Sequence, residues 1–123
     1  MRNFKVGSEI RKLLMASNSV TQKLGDKIFP LVANAGTLFP FLVYRRAAYR
    51  PASNKDYQSE IVSIEIAIAT VKYEEGVDIA DAVADALNGK HTEIIEDIEI
   101  TNIFEEYTDD TFIQKINLEI NLK

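Results

Sequence analysis

The chain is 123 residues long, enough for one domain with a sizeable core and too short for two, and it lacks cysteine. That excludes a disulfide framework, a thiolate nucleophile and any cysteine-held zinc or iron-sulfur site. The net charge of −5 is split, with 11 basic and 5 acidic groups in residues 1–72 against 13 acids and the single base Lys90 in residues 73–110, so the chain either carries two surfaces of opposite sign or cancels them on folding.

Gly7-Ser8 leads into Ile10, Leu13, Leu14 and Met15, which share one helical face, with Ser8 as N-cap and Glu9 at the positive end of the dipole. This helix is read as core packing, since it is short for a membrane-surface helix. After Ser17-Asn18-Ser19, Val20 to Leu24 adds one turn that Gly25 stops. Two Phe-Pro steps, Ile28-Phe29-Pro30 and Leu38-Phe39-Pro40, then bracket Asn34-Ala35-Gly36-Thr37. Proline favours extended geometry in the residue before it and cannot donate to a ladder. One short strand therefore ends at Pro30, and another opens at Pro40 and runs on through the β-prone Phe41-Leu42-Val43-Tyr44.

Tyr49 to Gln58 is expected to be a long loop, with turn chemistry from Pro51, Ser53, Asn54, Lys55 and Asp56. Arg45, Arg46, Arg50 and Lys55, interleaved with Tyr44, Tyr49 and Tyr57, form the basic-aromatic cluster of the chain. DNA contact is not favoured there, because no nucleotide-binding motif accompanies the cluster and the pI is near 4.9. Ser59 to Lys72 alternates Val62, Ile64, Ile66 and Ile68 with Ser63, Glu65, Ala67 and Ala69, the pattern of a strand with one face on a core.

Ile79, Val83 and Leu87 recur at helical spacing with Asp81 and Asp85 opposite, which predicts an amphipathic helix capped by Asp78 and stopped at Gly89. The three aspartates are read as a solvated face and not as a cation site, since no loop of ligand spacing supports them. Glu93 to Phe104 and Thr111 to Leu122 predict two further strands joined at Tyr107-Thr108-Asp109-Asp110. The expected fold is one α+β domain over residues 1–123, an antiparallel sheet of four to five strands with two main helices packed on one face.

The order of the Leu/Ile-rich helix, Gly25-Asp26-Lys27-Ile28-Phe29-Pro30, the loop, Phe39-Pro40-Phe41-Leu42-Val43-Tyr44, the long alternating strand and the Asp/Ala helix resembles a known family. It is that of the small tail-completion, or tail-terminator-like, proteins of long-tailed phages and prophages, and the likeness runs from about Gly7 to Lys123. The resemblance implies a structural virion subunit that forms a ring, with a hexamer the suggested symmetry, at the head-proximal end of the tail. It implies partners among tail and head-tail connector proteins, assembly in the cytoplasm of the bacterial host, and residence in the virion tail where the phage is active. It carries no catalytic residues.

The residues themselves assign no catalytic, cofactor or metal role. His91 is the only histidine and sits in a helix-to-strand turn, and adjacent acids on a strand point to opposite faces. The Ile-rich strands need those acids as guards against edge-to-edge pairing. No basic residue lies between Lys90 and Lys115. The candidate interface therefore sets Arg45, Arg46, Tyr49, Arg50, Lys55 and Tyr57 on one surface against Glu93, Glu96, Asp97, Glu99, Glu105 and Glu106 on a neighbouring copy. Two alternatives stay open: the long loop projects toward DNA or a tail tube inside a ring, or the chain is a small-molecule or peptide-binding α+β module without catalytic activity. With no apolar leader and no run of membrane-spanning length, the chain is expected to be soluble, unprocessed and without a membrane partner.

Overall fold

The computed structural model describes residues 1–52 and 60–123. A 3-10 turn, Arg2–Lys5, runs into helix α1, Val6–Met15, and Ser17 then accepts a hydrogen bond from the Val20 N–H to open α2, Asn18–Leu24. Helix α1 starts ahead of Ser8 because Val6, Ile10 and Leu14 are all fully buried, so the core-facing stripe begins at Val6.

Five strands make one sheet in the order β1-β2-β3-β5-β4, with β1 Ile28–Pro30, β2 Phe41–Arg50, β3 Ile61–Thr70, β4 Ile95–Thr108 and β5 Thr111–Leu122. The pairings β2–β3, β3–β5 and β5–β4 are antiparallel, but β1 runs parallel to β2 with Ile28 opposite Leu42. The expected α+β fold with an antiparallel sheet is thus found, β1 being the one parallel pairing. Residues 31–40 double back along β1 and return the chain to the level of Ile28 before β2 begins. Pro30 and Pro40 do bound the two strands, where their missing N–H costs no ladder bond.

Strand β2 continues to Arg50, opposite Ile61, where a loop was expected from Tyr49. An irregularity between Arg46 and Ala48 absorbs one residue, so Tyr49 still pairs with the buried Val62. Helix α3, Tyr73–Leu87, begins well before Asp78, with Glu74 and Glu75 in its first turn. Gly76 therefore lies inside the helix, where a Cβ would stand 2.9 Å from Thr70 Oγ1. Asn88 and Gly89 end the helix, Gly89 at φ +73°. At the β4–β5 hairpin Asp109 and Asp110 take φ 51° and 58°, the left-handed geometry that a two-residue turn requires.

All three helices cover one face of the sheet. Ile64, Ile66 and Ile68 of β3 and Ile116, Leu118 and Ile120 of β5 pack there in one buried cluster with Ile10, Leu14, Ile79, Val83 and Leu87. Each such side chain contributes about 1.5–3 kcal/mol on burial. The opposite face carries no helix among the described residues and presents Ser63, Glu65, Lys115, Asn117 and Glu119. That two-layer arrangement leaves both outer strands of the sheet as edges.

Candidate assembly interface

The first edge is basic. Strand β1 pairs only with Leu42, Val43 and Tyr44, so β2 from Arg45 to Arg50 has no strand on its outer side among the described residues. Arg45 meets the Glu65 carboxylate through Nε and Nη2, each at 3.3 Å. The Arg46 guanidinium lies 4.7 Å from the Phe4 ring centroid, a cation–π contact. The Tyr49 hydroxyl donates to Glu60 Oε2 at 2.6 Å, and Arg2 reaches the same carboxylate at 3.1 Å. The Tyr49 bond, reinforced by Arg2, holds the Glu60 carboxyl below the usual range. Arg50 is exposed and makes no ion pair among the described residues. Lys55 and Tyr57, also expected in this cluster, lie outside the described residues.

The second edge is acidic. Glu93 is exposed in the turn before β4, and Glu96, Asp97 and Glu99 are exposed along the strand. Glu105 accepts hydrogen bonds from Gln114 Nε2 and from the Tyr73 hydroxyl, both at 2.9 Å. Those two donors, Gln114 first, favour its ionised form and hold its carboxyl below the usual range. Glu106 pairs with Lys115 at 3.5 Å. No strand lies outside β4 among the described residues.

Among the described residues the two sets do not meet within one chain. Strands β3 and β5 stand between them, which separates the backbones of β2 and β4 by roughly 14 Å. Among the described residues only a file of ion pairs on the helix-free face crosses the sheet, Arg45 to Glu65 at 3.3 Å, Glu65 to Lys115 at 4.0 Å and Lys115 to Glu106 at 3.5 Å. Among the described residues folding thus pairs Arg45 and Glu106, and leaves Arg50 on one edge and Glu96, Asp97 and Glu99 on the other. Register places them level: Arg50 pairs with Ile61, Ile61 with Asn121, and Asn121 with Asp97.

Sequence reasoning missed three features of these edges, two of which had no signal. Glu60, the partner of both Tyr49 and Arg2, sits next to the undescribed segment and had no pattern to mark it. Tyr73, Tyr107 and Phe112 gather beside Glu105, although they come from three elements and share no spacing. The exposed Leu31, Val32, Leu38 and Phe39 did have a signal, since they flank the two prolines that were taken only as strand boundaries.

Elsewhere an open groove of about 590 Å³ runs between α2 and α3, where Lys23 and Lys90 stand among Asp78, Asp81 and Asp85. Among the described residues no group of three or more His, Asp or Glu is placed to hold a metal ion. Ile79, Val83 and Leu87 of α3 are buried against the sheet in the core cluster. Among the described residues no helix is long and apolar enough to cross a membrane.

The family model described as tail completion protein gp17 matches residues 8–118. The chain belongs to the tail completion protein family. Membership gives it a structural part in tail completion. The fold is shared with a chain from the virion of a native gene transfer agent (GTA) particle, at a TM-score of 0.82 and 14% identity, over 95% of this chain and 93% of that one. At that identity the likeness concerns the fold. No curated protein sequence matches the chain.

Proposed function

We propose that the whole chain acts as one tail-completion domain, a subunit of a ring at the head-proximal end of a phage-type tail, where it helps join tail to head. The observation that carries this reading is the placement of a basic and an acidic edge on opposite sides of one sheet, level with each other. A surface that meets a different surface on the next copy builds a ring when the rotation closes. Arg46 and Arg50 of one copy then face Glu96, Asp97 and Glu99 of the next, with Arg45 contributing less because Glu65 already holds it. Charge pairing of this kind favours register and association rate above affinity and weakens with salt.

The role is structural and not catalytic, in keeping with the family. The partners are further copies of the chain, six in the symmetry favoured here, and other tail or head-tail connector proteins. The site of action is the virion tail after assembly in the host cytoplasm. Similarity to a GTA virion chain supports the same setting.

Charge reversal tests the edges. Arg46→Glu with Arg50→Glu is expected to abolish self-association at low ionic strength, and Asp97→Lys with Glu99→Lys to do the same. Mixing the two variants is expected to restore it, because both contacts between unlike variants then join edges of opposite charge. Unchanged assembly and unchanged salt dependence in the arginine variant would show that this interface is wrong.

A further inference from the structure

Residues 31–40 hold large apolar side chains in water, with Leu38 77% and Phe39 42% exposed beside Leu31 and Val32. Large exposed apolar side chains gathered in one short segment mark a contact surface. The tip is held in place: the Phe39 ring stacks on Phe41 at 5.3 Å, and Lys27 Nζ donates to the Leu38 carbonyl at 3.2 Å. An ammonium therefore stands directly beside the apolar end.

At the other edge a pocket of about 240 Å³ opens between the start of α3 and the β4–β5 hairpin. Its walls are rings, Tyr107 and Phe112 at 4.7 Å between centroids and Tyr73 edge-on to Phe112 at 5.7 Å. Tyr107 remains 60% exposed and Tyr73 40%. Glu105 and Glu106 complete the lining, and Glu105 is fixed by Tyr73 and Gln114.

The register sets tip and pocket at one level. Phe41 aligns through Ala69 and Ile113 with Glu106, and Leu42 through Ile68 and Gln114 with Glu105. Leu42 N–H in turn donates to the Lys27 carbonyl at 3.0 Å, which puts Lys27 on that level too. Rotation about an axis along the strands, the motion that sets Arg50 against Asp97, also sets the tip against the pocket.

We infer that the Leu38–Phe39 tip of one copy seats in the Tyr73–Tyr107–Phe112 pocket of the next, with Lys27 facing Glu105 and Glu106. This second contact presupposes the head-to-tail arrangement proposed above. Apolar surface meets rings, and the ammonium meets two carboxylates, so polarity and sign match together. The apolar contact would hold the subunits where salt screens the charged one.

The absence of cysteine allows a clean test, since introduced thiols react alone. Full-length Leu38→Cys is mixed with full-length Tyr107→Cys and a short bis-maleimide; a parallel mixture holds Arg50→Cys with Asp97→Cys. All four positions are exposed, so the variants should fold. The expected result is cross-linked heterodimer in both mixtures, well above that of Leu38→Cys with Ser63→Cys. Heterodimer in the second mixture alone overturns the tip-in-pocket contact, leaves the head-to-tail edges standing and opens the pocket to another tail protein. None in either mixture overturns both. Homodimer of Leu38→Cys at the same yield also overturns it, because the tip then lies on a two-fold axis.

Discussion

Tyr73 donates its hydroxyl to Glu105, and the carboxylate also receives the Gln114 amide, so ionised Glu105 has a better environment folded than unfolded. The sign follows from the lowered carboxyl. Its contribution to stability is present above the unfolded pKa, about 4.3, and is lost as pH falls through the lower folded value. Tyr73→Phe removes one of the two donors. The variant is expected to melt below the parent at neutral pH, and the gap in Tm is expected to narrow as pH falls below the usual carboxylate range. A gap that persists undiminished at the acid end would mean that the hydroxyl acts through packing alone. Glu105 was legible in the sequence as an acid in a run without bases, but neither of its partners was. Tyr73 opens a helix whose start was expected at Asp78, and Gln114 faces Glu105 only through the β4–β5 register.

At the scale of elements, β3 and β5 were readable because a strand buried on one face has period two, and both have it over most of their length. The start of α3 was not, because Gly76 looks like a breaker when the chain is read alone. Its reason is tertiary: Thr70 is fully buried and its hydroxyl donates to the Lys72 carbonyl at 2.8 Å, so it cannot yield to a side chain at position 76. Gly76→Ala is therefore expected to destabilise by about 1–3 kcal/mol through overpacking, against the roughly 1 kcal/mol that alanine gains in an open helix. Thermal melting followed by circular dichroism decides it, and a rise in Tm would show that the helix can shift away from β3. The end of β2 was misread for a related reason. Arg45 to Arg50 is polar on both sides and lacks the alternation of a core strand, yet the ladder with β3 holds it extended. The parallel pairing of β1 was likewise beyond the pattern, since three residues carry no direction.

For the whole molecule, the charge split visible along the sequence becomes a spatial one only through strand order. Had β4 paired beside β2, the acids from Glu96 to Glu99 would have met Arg46 and Arg50 within the chain and left nothing for a neighbour. The order β1-β2-β3-β5-β4 instead sends them to opposite edges, and among the described residues the file of ion pairs across the sheet takes up Arg45 and Lys115. Surface ion pairs of that sort contribute about 0–1 kcal/mol each, so they balance charge more than they hold the fold. Exposed edges are also the places where unwanted sheets grow, and here each is charged, with opposite sign. A charge pattern that blocks pairing of like edges while admitting pairing of unlike ones suits a subunit built to join its own copies in one direction.

The most direct test of that claim is mass by light scattering of the unaltered chain, across protein concentration and from low salt to about 1 M, where the screening length falls to about 3 Å. The expected result is a ring-sized species at low salt that shifts toward the 13.9 kDa monomer as salt rises. A strict monomer under every condition, or an oligomer indifferent to salt, would contradict assembly through the charged edges.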